Sequence, residues 1–390
     1  MNRNLWLMVA AQGLFLTNNV VFIAINGLVG LSLAPYAWMA TLPVMGYVVG
    51  GALATGPVAW SQSRWGRKVA FQIGLGVAFF SALLATYAVI SANFWLLVGA
   101  TLVAGYYSAN GQLYRFAAAE LAAPDYREKA VSMVLAGGIV GGVFGPNLAR
   151  WTQHLGDAPF AGAYATLALL ALISMAVVST VRFPPVPQKI KGADSGRPLR
   201  VIMRQPVFIV STAAAALGYG VMNLLMAASP IAMQVCGHPF KDAALVLEWH
   251  VIGMFAPGFF TGSLIKRFGV IPIMSAGVAL NLLCIVIALS GIEVMHFLVS
   301  MFLLGVGWNF LFTAGTALSL QSYRPEEKDQ VQGAITFCVF AVMVVSSFSS
   351  GALVTTQGWT LLNYGSLVPV ALAGIAVVWY VLQGRPRQAA

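Results

Sequence analysis

Charge is what this chain has least of. Only 8% of its 390 residues are Asp, Glu, Lys or Arg, where an ordinary soluble domain carries about 25%. Acids are the scarcer sign, 11 against 21 Lys and Arg. Such a composition excludes a soluble protein. Three Cys cannot build a disulfide framework, and they say little about redox compartment. The 40 Gly follow no three-residue period, which excludes a collagen-like chain. A Walker loop, a dinucleotide fingerprint, a catalytic triad and a zinc-protease motif are all missing, so ATP-driven transport and hydrolysis have no support and no enzyme is expected. What is present is apolar: 59% of the residues are hydrophobic.

A membrane crossing needs about 20 consecutive apolar residues, and runs of that kind fill nearly the whole chain. Twelve helices are predicted: Leu5 to Leu33, Trp38 to Trp60, Val69 to Ile90, Phe94 to Tyr114, Val131 to Leu148, Phe160 to Val181, Val207 to Ala232, Ala243 to Ile265, Val270 to Leu289, Met295 to Leu318, Val331 to Val354 and Trp359 to Leu382. The first run has neither the short apolar core nor the small-residue cleavage site of a signal peptide, so it is read as the first span. The one long polar stretch, 182–206, reads as a linker between an N-terminal half, 1–181, and a C-terminal half, 207–390.

With the N-terminus in the cytoplasm, 19 of the 21 Lys and Arg fall on the cytoplasmic side, Arg115 among them, and only Arg150 and Lys241 fall outside. The positive-inside rule then places both termini in the cytoplasm. The net charge of +10 is accounted for by anionic membrane lipid as partner, with no nucleic acid.

The halves echo each other. Ser63-Arg64-Trp65-Gly66-Arg67-Lys68 after the second span is matched by Lys266-Arg267-Phe268-Gly269 after the eighth, and Tyr126-Arg127-Glu128-Lys129 by Arg324-Pro325-Glu326-Glu327-Lys328. Twelve helices, related halves and a basic linker resemble the major facilitator superfamily, and Arg64-Trp65-Gly66-Arg67-Lys68 resembles its signature between helices two and three. Ser63 and Ala59 depart from that signature, which usually has Asp and Gly there. The resemblance implies an all-α membrane protein of twelve transmembrane helices in two six-helix halves, with a substrate site near the midplane between them.

Ionisable residues inside spans are functional candidates by default. Glu248 is the one acid well inside a span, with His250 two residues on. Asn18, Asn19, Asn110, Asn147 and Asn223 offer hydrogen bonds to an uncharged solute. Met222 and Met226 stand at i, i+4 on the seventh helix, as do His250 and Met254 on the eighth. That spacing stacks two side chains on one face, and counting from the external helix ends brings the four to matching depths. Thioether and imidazole donors suit Cu(I), and hard cations lack their oxygen ligands here. Met also fills irregular cores, so packing is the competing explanation. Cys236 and His238, with Met233 nearby, sit at the expected external mouth; Cys284 and Cys338 read as packing residues. Gly137, Gly138, Gly141, Gly142 and Gly145 before Pro146 resemble a facilitator hinge motif, or serve close helix packing.

The paired motifs, Met222-x-x-x-Met226 and His250-x-x-x-Met254, resemble those of the CcoA-type copper importers, a facilitator subfamily that supplies copper for haem-copper oxidase assembly. The resemblance implies an importer working by alternating access, with Met222, Met226, His250 and Met254 as metal ligands and Cys236, His238 and Glu248 as possible capture or coupling residues. Copper is then the transported substrate, no cofactor is needed, a periplasmic copper donor or cytoplasmic copper chaperone is a possible partner, and a monomer is expected. The alternative is a facilitator for an uncharged organic solute such as riboflavin or a drug. Riboflavin-transporting relatives of this subfamily would not be expected to keep both motifs.

Overall fold

The computed structural model describes residues 3–123, 127–156, 158–184, 196–324 and 327–383. Among them the chain is helical and has no strand. Its helices are α1 (Arg3–Leu33), α2 (Leu42–Ile90), α3 (Phe94–Gly111), α4 (Tyr114–Leu121), α5 (Arg127–Thr152), α6 (Ala161–Ser179), α7 (Leu199–Ile202), α8 (Pro206–Val235), α9 (Phe240–Phe255), α10 (Gly258–Phe268), α11 (Val270–Ser290), α12 (Val294–Ser319), α13 (Lys328–Thr356) and α14 (Gly358–Leu382).

Eight described stretches are long and apolar enough to cross a membrane, and the bent pair α9 and α10 adds a ninth. One of the eight runs from 37 to 90 and is long enough for two crossings. The break lies at Gly66, whose φ of 80° and ψ of 170° leave the helical region. Gly269, its counterpart in the second echo, has φ 90° and ψ 166° between α10 and α11. Both dihedral pairs lie where only glycine sits without strain, so the repeat read in the sequence is a repeat of backbone geometry.

Two predicted spans are broken helices. The fourth stops at Gly111 and resumes at Tyr114, and the eighth bends by 41° between α9 and α10. Pro257 explains the second break, because it has no N–H to return to the carbonyl one turn earlier. The side chain of Asn309 on α12 secures the bend, donating to the Met254 carbonyl at 2.7 Å and accepting from the Thr261 hydroxyl at 2.7 Å. Asn309→Leu is expected to lose both bonds while keeping the volume, and to slow transport with little change in KM. A transport rate equal to wild type in liposomes would show that the clasp does not control the bend.

Helices α5 and α9, α2 and α13, and α1 and α8 pack across the line between the segments before and after the linker. These contacts concentrate on the face opposite the linker. There the Thr41 hydroxyl donates to the Ser347 carbonyl at 2.6 Å and accepts from the Gly351 amide at 2.9 Å, inserting between two α13 groups that stand one turn apart. Asn147 on α5 donates to Glu248 on α9 at 2.8 Å, and the rings of Phe160 and Phe240 meet at 5.1 Å. Toward the linker, Gly56, Gly262 and Gly333 border open space, and Thr261 is the buried residue of α10 among the described residues. The contacts just described seal the face opposite the linker. Thr41→Val is expected to loosen the seal, and Thr41→Ser to keep it. Spin-label distances between the α2 and α13 ends on the sealed face test this, and identical distributions in wild type and Thr41→Val would refute it.

Near the linker, Glu327 at the start of α13 is inaccessible to solvent and accepts four hydrogen bonds, from the Arg197 amide at 2.8 Å, Arg197 Nε at 2.8 Å, Arg197 Nη2 at 2.7 Å and the Arg324 amide at 2.9 Å. The Arg197 guanidinium beside Glu327 holds its carboxyl well below the usual carboxylate range. The stabilisation is therefore complete above the ordinary carboxylate value and fades only in strong acid. Glu327→Gln should expose the linker at neutral pH, raising trypsin cleavage after Arg200 several-fold. Unchanged cleavage would mean that the pair does not hold the linker. A second pair, Arg67 to Glu120 at 2.5 Å, ties the loop after Gly66 to the end of α4, so a charge contact forms there without an acid at Ser63.

Candidate functional site

The space between the two sets of helices has aromatic walls. From the C-terminal side, Tyr219 on α8 lies 5.3 Å from Trp308 and 5.6 Å from Phe312 on α12, and Trp308 and Phe312 stack at 5.2 Å with planes 10° apart. The i, i+4 spacing of Trp308 and Phe312 puts both rings on one helix face. Phe255, at the bend after α9, reaches Trp308 at 6.2 Å and packs with Leu16 and Val20 of α1. From the N-terminal side, Phe22 on α1 stacks on Tyr47 of α2 at 5.1 Å and 15°. Tyr219 lies within electrostatic reach of both Tyr47 and Arg115, which places this space at the junction of the two walls.

Several buried polar atoms around it lack partners among the described residues: Asn18 Oδ1, Arg115 Nε and Trp308 Nε1. Orphaned polar groups are costly away from water, so these atoms are suited to meeting a solute's donors and acceptors. Arg115 stands in α4, just past the Tyr114 at which the predicted fourth span ends. The helix resumes after Gly111, and the Arg115 guanidinium lies 5.0 Å from the centroid of the Phe116 ring. Sequence reasoning missed this wall; the Trp308-x-x-x-Phe312 spacing is the signal that could have found it.

The residues singled out in the sequence have other surroundings. Met222, Met226 and Met254 are buried and belong to the main apolar core. His250 is fully buried, and its Nδ1 lies 2.7 Å from the Met301 carbonyl. A carbonyl only accepts, so Nδ1 carries the proton and Nε2 is the bare nitrogen, which has no partner. The segment is held on α12 by a close crossing, where a Cβ on Gly305 would stand 2.4 Å from the His250 carbonyl. Among the described residues there is no group of three or more His, Cys, Asp or Glu that could hold a metal ion.

Glu248 is half-buried and bonded to Asn147 as part of the sealed face. His238 reaches the Ile292 carbonyl at 2.7 Å, Met233 is buried, and Cys236 ends α8 as a half-buried free thiol. Asn223 is spent on Ser346 and Ser347 of α13, at 2.9 and 2.7 Å. Gly137, Gly138, Gly141 and Gly145 all face α1, and Gly142 faces Val251, so this glycine run serves close packing.

The family model of the Major Facilitator Superfamily matches residues 5–256 and 242–390. The riboflavin transporter RfnT of Brucella anthropi is 38% identical over 390 residues, covering 100% of this chain and 97% of that protein. In fold, the chain is similar to a D-xylose-proton symporter, with a TM-score of 0.78, 14% identity and 96% of each chain covered. It is also similar to the xylose transporter XylE of E. coli in a partially occluded, inward-open conformation, with a TM-score of 0.74, 14% identity and 99% of this chain and 98% of that one covered.

The full-length relative overturns the reading of this chain as a CcoA-type copper importer, and copper is withdrawn as its cargo. Met and His also serve packing: the thioethers lie in the same core cluster as Trp308, and His250 fastens α9 to α12. The metal role of Met222, Met226, His250 and Met254 loses the cargo that called for it. The match over nearly the whole chain, the full-length relative and the shared fold show that this multi-pass transporter, which is not an enzyme, belongs to the major facilitator superfamily.

Proposed function

We propose that this protein is a transporter of riboflavin or a closely similar flat, uncharged heteroaromatic solute, with residues 1–181 and 207–390 rocking about the central space. The observation that supports this best is the 38% identity to a riboflavin transporter along the entire chain. The site chemistry agrees. Stacked Trp308 and Phe312 with Tyr219 offer faces to a planar ring, and the orphaned polar atoms offer partners to its edge and to hydroxyls on a side chain. With the linker in the cytoplasm, the conformation described is inward-facing, sealed by Thr41, Asn147 and Glu248.

Expression in a bacterium unable to make riboflavin tests the reading. Growth on a low external riboflavin concentration, with uptake of the labelled vitamin, is the expected result. No rescue and no uptake, with the protein present in the membrane, would refute it. Copper accumulation under copper limitation is expected to be the same with and without the protein.

A further inference from the structure

Beside the aromatic wall lies a cation with no ion-pair partner among the described residues. Glu120, the acid nearest to Arg115 in sequence, is taken by Arg67, and Glu327 by Arg197. Arg115 has instead the Phe116 ring at 5.0 Å, the neighbouring Tyr219 and a buried Nε without a partner. A cation beside aromatic rings and without an acid partner is free to meet a substrate's acceptors. The guanidinium is a planar fork that matches two adjacent acceptors in one plane. Its neighbours are aromatic faces, so a flat solute stacked on Trp308 and Phe312 can turn its edge toward the fork.

We propose that Arg115 is the specificity-determining residue of this transporter, donating two parallel hydrogen bonds to the acceptor edge of a dioxopyrimidine-type ring, a carbonyl oxygen beside a ring nitrogen. The inference rests on the function proposed above and deepens it. One cation does not neutralise a dianion, so a phosphate ester of the same ring system, which also loses more hydration on entering, is discriminated against. Arg115 thus selects the ring edge and leaves the side-chain hydroxyls to Asn18.

The test is concentration-dependent riboflavin uptake into liposomes containing wild type, Arg115→Met or Arg115→Lys, with lumiflavin, ribitol and riboflavin phosphate as competitors. Lumiflavin keeps the acceptor edge of the ring without the polyol, and ribitol is the polyol without the ring. In wild type, lumiflavin is expected to compete while ribitol and the phosphate do not. Arg115→Met should raise KM by about tenfold or more, the equivalent of roughly 1.4 kcal/mol, and abolish lumiflavin competition. Arg115→Lys, a point charge with one bond to offer, should fall between. Wild-type uptake with an unchanged KM in Arg115→Met would overturn the role of Arg115 and leave the function standing, whereas no wild-type riboflavin uptake would refute the function and this inference with it. If Arg115→Met fails to accumulate, lumiflavin inhibition as strong in Arg115→Lys as in wild type overturns the proposal.

Discussion

Gly50→Ala is expected to remove most folded protein from the membrane, although it adds one methyl group to a residue in mid-helix. A Cβ on Gly50 would stand 1.8 Å from the Leu102 carbonyl oxygen, and one on Gly105 would stand 2.3 Å from the Gly51 amide nitrogen. Helices α2 and α3 therefore cross with their backbones in contact, and no side-chain rotation relieves the overlap. Alanine in place of glycine normally gains up to about 1 kcal/mol in a helix. Overpacking costs about 1 to 3 kcal/mol even where side chains can yield, and more where backbone must move. The clash wins. Gly76→Ala and Gly99→Ala are the matched controls, because each would meet nothing within 4 Å. Detergent-solubilised yield and thermal stability by fluorescence-detected size exclusion decide the matter: if Gly50→Ala and Gly105→Ala behave like the controls, the crossing is not as close as described.

Trp308→Ala should abolish most riboflavin transport at low concentration, and because Trp308 is buried in the core its loss also costs about 3 to 5 kcal/mol of stability, so affinity is compared on the protein that folds. Trp308 is the centre of the aromatic wall, in contact with Tyr219, Phe255 and Phe312. Stacking of a heteroaromatic ring on an aromatic side chain is worth on the order of 1 to 3 kcal/mol, which corresponds to about 5- to 160-fold in affinity. Trp308→Phe keeps a face and loses the indole N–H, whose nitrogen has no partner within the protein. It should therefore retain an intermediate affinity, and the gap between Phe and Trp measures the N–H contribution. Quenching of riboflavin fluorescence on titration with purified protein gives the affinities directly. Equal affinity in wild type and Trp308→Ala would show that the solute does not stack there.

The membrane character, the helix positions and the two-fold pattern were legible in the chain alone, because they follow from local composition. Apolar runs must cross the bilayer as helices, since no other backbone arrangement of a single run satisfies its own hydrogen bonds there. The predicted Val270 to Leu289 and Trp359 to Leu382 agree with α11 and α14 to within a residue. Gly66 and Gly269 could be aligned by their basic neighbours before their dihedrals were seen. The breaks at Gly111 and Pro257 did not show, because hydropathy averages over a turn and does not register one missing hydrogen bond.

The function lay beyond local pattern. Spacing along one helix fixes which side chains share its face, but not what that face meets. His250 and Met254 have the spacing of a ligand pair, yet the tertiary structure turns the His250 Nδ1 proton onto the Met301 carbonyl and the neighbouring backbone onto Gly305. Arg115 has the sequence surroundings of a cytoplasmic loop cation, yet the restart of the helix after Gly111 brings it to Tyr219, 104 positions along the chain and on the opposite wall. The sequence by itself determined a twelve-span, two-half transporter, because the bilayer reads composition one segment at a time. Which polar groups stay unpaired in the middle was decided only when distant helices packed, because a hydrogen bond depends on the position of both of its partners.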